Sequence, residues 1–265
     1  MWDFEHSDAG RYFDIHYTIP AQCAAELEAG QSDIGIIPAF TYAQIPGLVI
    51  LPNVAIAAKE SVRSILLICK KPREDVRTVA IDTSSRTSVA LTQIIFAKFL
   101  GGHRKFTPHP PDLKQMLNHY DAALLIGDSA LQVSLHDSPY HLYDLGKDWR
   151  TLTGKPFVFA FWAVRMDALE RRPRELDLVA TFQRSRDHGL QPENIATIAR
   201  EWAPKLSLSE NEIETYLTAN IHYFLDRENH AGLQLFLSYA HEVGLIDSVP
   251  ELRFLGPVAF GNRRT

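Results

Sequence analysis

The chain has 265 residues, of which 46% are hydrophobic and 22% are charged, so it contains enough apolar material for one large domain or two small lobes. Its formal net charge of -5 gives no general attraction to nucleic acid or to an anionic membrane, and we expect a small molecule as its partner. The two cysteines, Cys23 and Cys69, lack the spacing of a metal or redox site, which favours a reducing compartment.

The beginning of the chain predicts a cytoplasmic location. Residues 1–7 include acidic side chains where a secretory signal would need a basic and then an apolar run. No stretch of the sequence is long and apolar enough to predict a membrane-spanning helix.

The first part of the chain alternates strand and helix patterns, which predicts an α/β fold with a parallel sheet covered by helices. The predicted elements are a strand at 13–18, a helix at 20–30, strands at 34–37, 48–51, 62–69 and 79–81, a helix ending near 100, a short helix at 111–117, and strands at 122–126 and 157–164.

The sequence after residue 165 has a helical pattern up to about residue 243. Ser209 and Glu212 have the spacing of a capping box at a helix start. We interpret the apolar stripes that follow as core-facing, without a chemical role. The stripes contain Ile213, Tyr216, Leu217, Ile221, Leu233, Phe236, Leu237 and Ala240.

Several signatures of catalysis are absent from the sequence: a Gly-rich phosphate loop with lysine, GxGxxG, HExxH and GxSxG. The eleven histidines lack the helical spacing of metal ligands. We therefore predict neither a metal nor another cofactor.

A hydroxyl-rich turn at residues 83–88 joins a predicted strand to a predicted helix. Such a helix start presents free N–H groups and a positive dipole end to an anion, and Ser85, Thr87 and Ser88 add hydroxyl donors. The same residues are also common helix caps, so position alone leaves an anion site and a plain cap open. Arg86 is either a partner for a carboxylate or an ordinary solvated arginine.

Two other places are candidates for ligand contact. Ser64, at the start of an apolar strand, is either a donor in a cleft or an ordinary strand serine. Gly127 and Asp128 follow a buried strand, where α/β sheets place ligand-contacting loops, although Asp128 could equally be a helix cap.

Six segments resemble, in this order, the chorismate dehydratases of the futalosine pathway of menaquinone biosynthesis, and the match extends over about residues 2–170. They are SVRSILL (61–67), DTSSRTSVAL (82–91), PDL (111–113), DAALLIGD (121–128), DLGKDW (144–149) and TGKPFVFAFWAVR (153–165).

The resemblance implies a two-lobed, periplasmic-binding-protein-like fold with a ligand cleft between the lobes. The first lobe would contain residues 1–63 and 160–265, and the second residues 64–159. The two strands at 62–69 and 157–164 would connect them. The cleft would collect Ser64, the helix start at 83–88, and Gly127 with Asp128.

The implied reaction is the loss of water from chorismate to give 3-[(1-carboxyvinyl)oxy]benzoate, without a cofactor. On this hypothesis Thr87 and Ser88 bind one carboxylate of chorismate, and Ser64 is the catalytic residue that orients the substrate. No side chain is an obvious general base, so the enolpyruvyl carboxylate of the substrate itself could accept the ring proton.

Members of this family open with a strand and a Tyr-Leu-Asn-x-x-Pro-Leu element whose asparagine lies in the active site. This chain begins after that element, so the resemblance predicts that the first lobe lacks a strand and that activity is impaired. Two alternatives remain. One is a non-catalytic protein that binds small carboxylates. The other is the sister enzyme acting on cyclic dehypoxanthine futalosine, which places a histidine where this chain has Gly127 and Asp128.

Overall fold

The computed structural model describes residues 1–135, 138–173 and 175–256. Its strands are β1 (Ile34–Pro38), β2 (Leu48–Ala58), β3 (Ile65–Cys69), β4 (Thr78–Ile81), β5 (Lys105–Pro108), β6 (Ala122–Ile126), β7 (His141–Asp144) and β8 (Phe157–Arg165). Its α-helices are α1 (Trp2–His6), α2 (Pro20–Glu28), α3 (Arg86–Ile95), α4 (Leu113–His119), α5 (Asp128–Leu131), α6 (Leu145–Thr153), α7 (Leu178–Gly189), α8 (Pro192–Leu206), α9 (Glu210–Thr215) and α10 (Arg227–Glu242).

The described strands form two separate sheets. In the first sheet β8 lies between β1 and β2 and is antiparallel to both. The second sheet has the order β5-β4-β6-β3-β7, in which β4 is parallel to β5 and β6, and β3 is antiparallel to β6 and β7. Every residue of β3 is buried, as expected for a strand covered on both faces.

The chain passes between the two sheets along residues 59–64 and again along residues 154–156. The strand predicted at 62–69 begins only at Ile65, because residues 61–64 form a tight turn. Neither strand predicted to connect the lobes extends from one sheet into the other: β3 lies in the second sheet and β8 in the first.

The strand predicted at residues 13–18 does not form. This segment has no regular secondary structure and pairs with no strand in the described part of the chain. Its apolar side chains Phe13 and Ile15 instead pack on a small core around Phe4 and Phe182. Alternation alone does not make a strand, since the backbone also needs a neighbour to bond.

The main core connects the two sheets. Trp149 of α6 and Phe236 of α10 both contact Phe157 at the beginning of β8, with ring centroids 5.2 and 5.0 Å from that of Phe157. All three side chains are completely buried. Most of the predicted apolar stripes belong to this core, and Ile213 belongs to a second core shared by α8 and α9. Among the described residues, every helix is too short or too polar to cross a bilayer.

Candidate functional site

The predicted site residues meet at one edge of the second sheet. Because β4 is parallel to β6, both strands end at this edge, and the antiparallel β3 begins there with Ile65 opposite Ile126. The edge therefore carries Ser64, the start of α3 and Gly127. Open α/β sheets place ligand-contacting loops at such an edge.

Ser64 follows a strained turn. Its backbone N–H donates to the carbonyl of Val62 at 2.7 Å, two residues back, which makes a γ-turn centred on Arg63. Arg63 has a φ of 65°, in the left-handed region that residues other than glycine rarely adopt. Strained backbone of this kind is concentrated at functional sites.

The turn before Ser64 is held by the carboxylate of Asp144. That carboxylate accepts hydrogen bonds from the hydroxyl of Ser61 at 2.6 Å, the N–H of Val62 at 3.0 Å and the N–H of Arg63 at 2.6 Å. It also accepts the N–H of Lys147 at 3.0 Å, which caps α6.

The guanidinium of Arg63 binds the far end of α5. It donates to the carbonyl of Ala130 at 2.8 Å, of Leu131 at 2.9 Å and of Val133 at 2.7 Å. Carbonyls at the end of a helix need such partners, and that of Ala130 also accepts the N–H of Val133 at 3.1 Å. Arg63 thus joins the turn before Ser64 to the segment that begins with Gly127 and Asp128.

Gly127 contacts Ser64 directly, because its N–H donates to the carbonyl of Ser64 at 2.7 Å. It has a φ of 65°, which a glycine adopts without the strain that another residue would have. Asp128 begins the single turn of α5, and its side chain is exposed. The structure therefore brings Ser64, Gly127 and Asp128 together.

The hydroxyl groups at the start of α3 cap the helix and bond to one another. The Ser85 hydroxyl accepts from the N–H of Ser88 at 3.4 Å and from the hydroxyl of Ser88 at 3.1 Å. The prediction of a helix cap is therefore confirmed for Ser85. This cap bonds to the N–H of Ser88, so the N–H groups of Arg86 and Thr87 remain available at the positive end of the helix dipole.

Thr87 and Arg86 reach the segment that follows β1. The Thr87 hydroxyl accepts the N–H of Phe40 at 3.1 Å, and the Arg86 guanidinium donates to the amide oxygen of Gln44 at 3.3 Å. Thr87 and Ser88 are completely buried. A substrate can contact their side chains only after these two parts of the molecule separate.

Sequence reasoning missed Tyr216, which was assigned to a core-facing stripe. Its hydroxyl donates to the hydroxyl of Ser64 at 3.1 Å. Burial raises the pKa of Tyr216 and the charge of Asp128 adds to this. The residue begins a π-helical turn, Tyr216–Asn220, and no pattern in the sequence signals such a turn.

A cavity of about 480 Å³ lies away from this edge. It lies beside β1 and is lined by none of the predicted site residues. Its lining is mainly apolar, and Arg186 on its wall already binds Asp187 and the carbonyl of Asn53. It therefore offers few free donors for an anion, and we do not regard it as the substrate site. Within the described residues, no three His, Cys, Asp or Glu side chains group as a metal site would need.

Comparison with known proteins identifies the family. The profile of a family described as menaquinone biosynthesis matches residues 1–242. The chain belongs to this family. It is 28% identical over 240 residues to a chorismate dehydratase from Thermus thermophilus, an alignment covering 84% of this chain and 85% of that protein. The family expected from the six segments is confirmed.

The fold is confirmed by solved structures. A protein from Archaeoglobus fulgidus superposes with a TM-score of 0.63 at 19% identity, over 88% of this chain and 86% of that one. The periplasmic aliphatic sulphonate binding protein of Escherichia coli gives 0.61 at 16% identity, over 95% and 84%. A Candida albicans protein with the generic periplasmic binding protein fold gives 0.52 at 11% identity, over 91% and 86%. The menaquinone biosynthesis family member described here has that two-lobed α/β fold.

Proposed function

We propose that this chain is a chorismate dehydratase, a hydro-lyase that converts chorismate to 3-[(1-carboxyvinyl)oxy]benzoate and water. The observation that carries the proposal is the placement of the Ser64 hydroxyl and the start of α3 at one sheet edge, in a chain 28% identical to a chorismate dehydratase. Because a biosynthetic enzyme acts where its charged metabolite is made, we also propose a cytoplasmic location.

The reaction needs orientation and proton transfer. The ring C–O bond to the hydroxyl group breaks, the neighbouring ring carbon that carries the enol ether loses its proton, and the electron pair of that C–H bond completes the aromatic ring. The departing oxygen leaves as water once it has received a proton. Aromatisation supplies the driving force, so the protein has to hold the substrate in a reactive conformation and supply hydrogen-bond donors.

The start of α3 suits one carboxylate of the substrate. The helix has ten residues, and its first N–H groups and positive dipole end favour an anion. The Thr87 hydroxyl accepts the N–H of Phe40, and its own proton has no acceptor among the described residues, so it can donate to a carboxylate. Ser88 and Arg86 add a hydroxyl and a positive charge at the same helix start.

Ser64 suits the reacting part of the substrate. Its hydroxyl accepts from Tyr216, and its own proton has no acceptor in the described part of the chain. That proton can be donated to the leaving hydroxyl or to the side-chain carboxylate. Because no basic side chain faces Ser64 among the contacts described, the enolpyruvyl carboxylate of chorismate is our candidate for the base.

The proposal is tested by incubating the purified chain with chorismate and following both compounds by chromatography. We expect the product to appear and the Ser64→Ala variant to be about 100-fold slower, as for the loss of an oriented donor. Ser32→Ala is the matched control. Ser32 lies just before the beginning of β1, in the first sheet, and among the described residues its hydroxyl donates only to the carboxylate of Glu26.

The assay also separates the alternatives. Absence of product from a folded wild-type chain that still binds chorismate would replace the dehydratase by a protein that binds small carboxylates. Turnover of cyclic dehypoxanthine futalosine instead of chorismate would identify the sister enzyme. A Ser64→Ala variant as fast as the Ser32→Ala control would leave the activity but remove Ser64 from the reaction.

A further inference from the structure

We propose that Tyr216 is the positioning residue of Ser64: its hydroxyl donates to the Ser64 oxygen and thereby directs the Ser64 proton toward the substrate. This inference rests on the proposed function. It assigns a role to a side chain that the apolar pattern of the C-terminal helices places in the core.

The first argument is the geometry of the contact. A serine hydroxyl has one proton and two acceptor positions, and it rotates freely unless a neighbour occupies one of them. The Tyr216 hydroxyl, 3.1 Å away, donates to one acceptor position of Ser64. The Ser64 proton must then point away from Tyr216. Since Ser64 is 5% exposed, few other orientations remain.

The second argument is the rigidity of both partners. The backbone of Ser64 is held by the γ-turn at Arg63 and by Asp144. Tyr216 starts the π-helical turn, and Asn220 at the end of that turn donates from its side chain to the carbonyl of Ser61 at 3.0 Å. Two hydrogen bonds, spaced four residues apart on one turn, therefore attach the C-terminal helices to the segment that presents Ser64.

The third argument is the local irregularity of the helix. A π-turn costs regular backbone bonding and is found mostly where it places a side chain for function. Here it follows α9 directly and carries both Tyr216 and Asn220. A purely apolar packing role would not need the phenol hydroxyl.

The first test compares Tyr216→Phe with wild type in the chorismate assay. We expect kcat to fall about 10- to 100-fold while KM changes less than about threefold, because the ring still packs and only the orientation of Ser64 is lost. The Tyr223→Phe variant is the matched control. Tyr223 is a partly buried tyrosine near Tyr216 whose hydroxyl makes no hydrogen bond among the described residues, and we expect the kcat of this variant to stay within about twofold of wild type.

The second test is a double-mutant cycle. If Tyr216 acts through Ser64, the Tyr216→Phe change slows wild type but has no further effect in the Ser64→Ala background. The inference would be overturned if Tyr216→Phe lowered kcat equally in the wild-type and Ser64→Ala backgrounds, or if it left kcat at the wild-type value. Neither result would affect the proposed dehydratase activity of the chain.

Binding makes the inference testable without turnover. If wild type binds chorismate but does not dehydrate it, the proposed function fails, and the same cycle is measured as Kd by calorimetry. A change in Kd on Tyr216→Phe that occurs only when Ser64 is present, within the roughly threefold range expected for KM, would support the inference. Additive losses, or no binding at all, would overturn it.

A second variant covers the case in which Tyr216→Phe does not fold. Site-specific 3,5-difluorotyrosine at position 216 keeps the hydroxyl and ionises at lower pH, and Asp128 is the titratable group whose charge acts on this position. Because a phenolate no longer donates, we expect kcat to fall at lower pH than in wild type. A pH profile that stays unshifted over a range in which ultraviolet absorbance shows the difluorophenol to ionise would contradict the inference.

Discussion

The carboxylate of Asp144 accepts the backbone N–H of Arg63 at 2.6 Å, and this contact joins the start of α6 to the strained turn before Ser64. The same carboxylate caps α6 through Lys147. One side chain therefore stabilises both a helix start and the backbone conformation that presents the candidate catalytic hydroxyl.

The Asp144→Asn variant tests this double role. Asparagine replaces one of the two carboxylate oxygens by an NH2 group. That group would face either the donors of Ser61 and Arg63, which now bond to one oxygen, or those of Val62 and Lys147, which bond to the other. We expect the free energy of unfolding in urea to fall by about 1–3 kcal/mol. We expect kcat to fall about 10- to 100-fold, because Ser64 is displaced.

Asp177→Asn is the control for that variant. Asp177 caps α7 through the N–H of Ala180 at 3.0 Å, and α7 packs on α1 and β2, outside the second sheet. The Asp177→Asn variant should have a lower free energy of unfolding than wild type and the same kcat. Similar losses of kcat in both variants would show that helix capping, and not the turn before Ser64, explains the effect.

Gly232 of α10 tests how closely the helices pack on the segment between the sheets. A Cβ at this position would lie 2.1 Å from the carbonyl oxygen of Pro156, which already accepts the indole N–H of Trp149 at 3.2 Å. Alanine normally stabilises a helix by about 1 kcal/mol over glycine. Here we expect Gly232→Ala to lower the free energy of unfolding by about 1–3 kcal/mol, because backbone must move.

The neighbouring Ala231→Gly variant separates packing from helix propensity. It should cost about 1 kcal/mol for propensity alone, measured in the same urea titration. If Gly232→Ala proved as stable as wild type, α10 would not be confined by Pro156 as the structure indicates.

Local patterns in the sequence predicted the elements that depend on local physics. The apolar runs of β3, β6 and β8 form buried strands. The Ser209 and Glu212 pair forms both hydrogen bonds of a capping box. The rule for strand ends also made Gly127 and Asp128 candidates for ligand contact, whereas Ser64 was joined to them only through the family resemblance.

The contacts that shape the site join residues distant in sequence. Arg63 and Asp144 are 81 residues apart, and Ser64 and Tyr216 are 152 residues apart. Nothing local distinguishes Tyr216 from its apolar neighbours, because an aromatic residue in a stripe is usually core. Only tertiary packing shows that its hydroxyl reaches Ser64.

Asp121 gives a prediction for acid pH. Burial acts to raise the pKa of Asp121, but the N–H groups of Arg77 and Thr78 and the ammonium of Lys71 outweigh it and lower the pKa to about 2. A carboxyl group with a lowered pKa stabilises the fold above its unfolded pKa, near 3.9, and loses this contribution as pH falls toward 2.

Asp121→Asn should therefore destabilise the protein at pH 7 and converge with wild type on acidification. Because the carboxylate is partly solvated, we expect a loss of roughly 1 kcal/mol at pH 7. Urea titrations between pH 7 and pH 3 measure it, with the exposed Asp75→Asn as control. A difference from wild type that stays constant down to pH 3 would mean that the effect is not electrostatic.

Thr87→Val tests the hydroxyl at the start of α3 that accepts a hydrogen bond from the residues after β1. Valine removes the oxygen that accepts the N–H of Phe40, leaving a buried donor unsatisfied, and we expect a loss of about 1–3 kcal/mol in unfolding free energy. If the same hydroxyl donates to a substrate carboxylate, KM for chorismate should also rise about tenfold.

The control for this last variant lies on the same helix. Thr92 is also completely buried, but its hydroxyl donates to the carbonyl of Ser88 at 2.8 Å within α3. Thr92→Val should therefore change stability without changing KM. Since Thr87, unlike Thr92, combines an accepted N–H with an uncommitted proton, a KM that rises in Thr87→Val but not in Thr92→Val would identify a substrate contact. A KM unchanged in both variants would restrict Thr87 to holding the two parts of the molecule together.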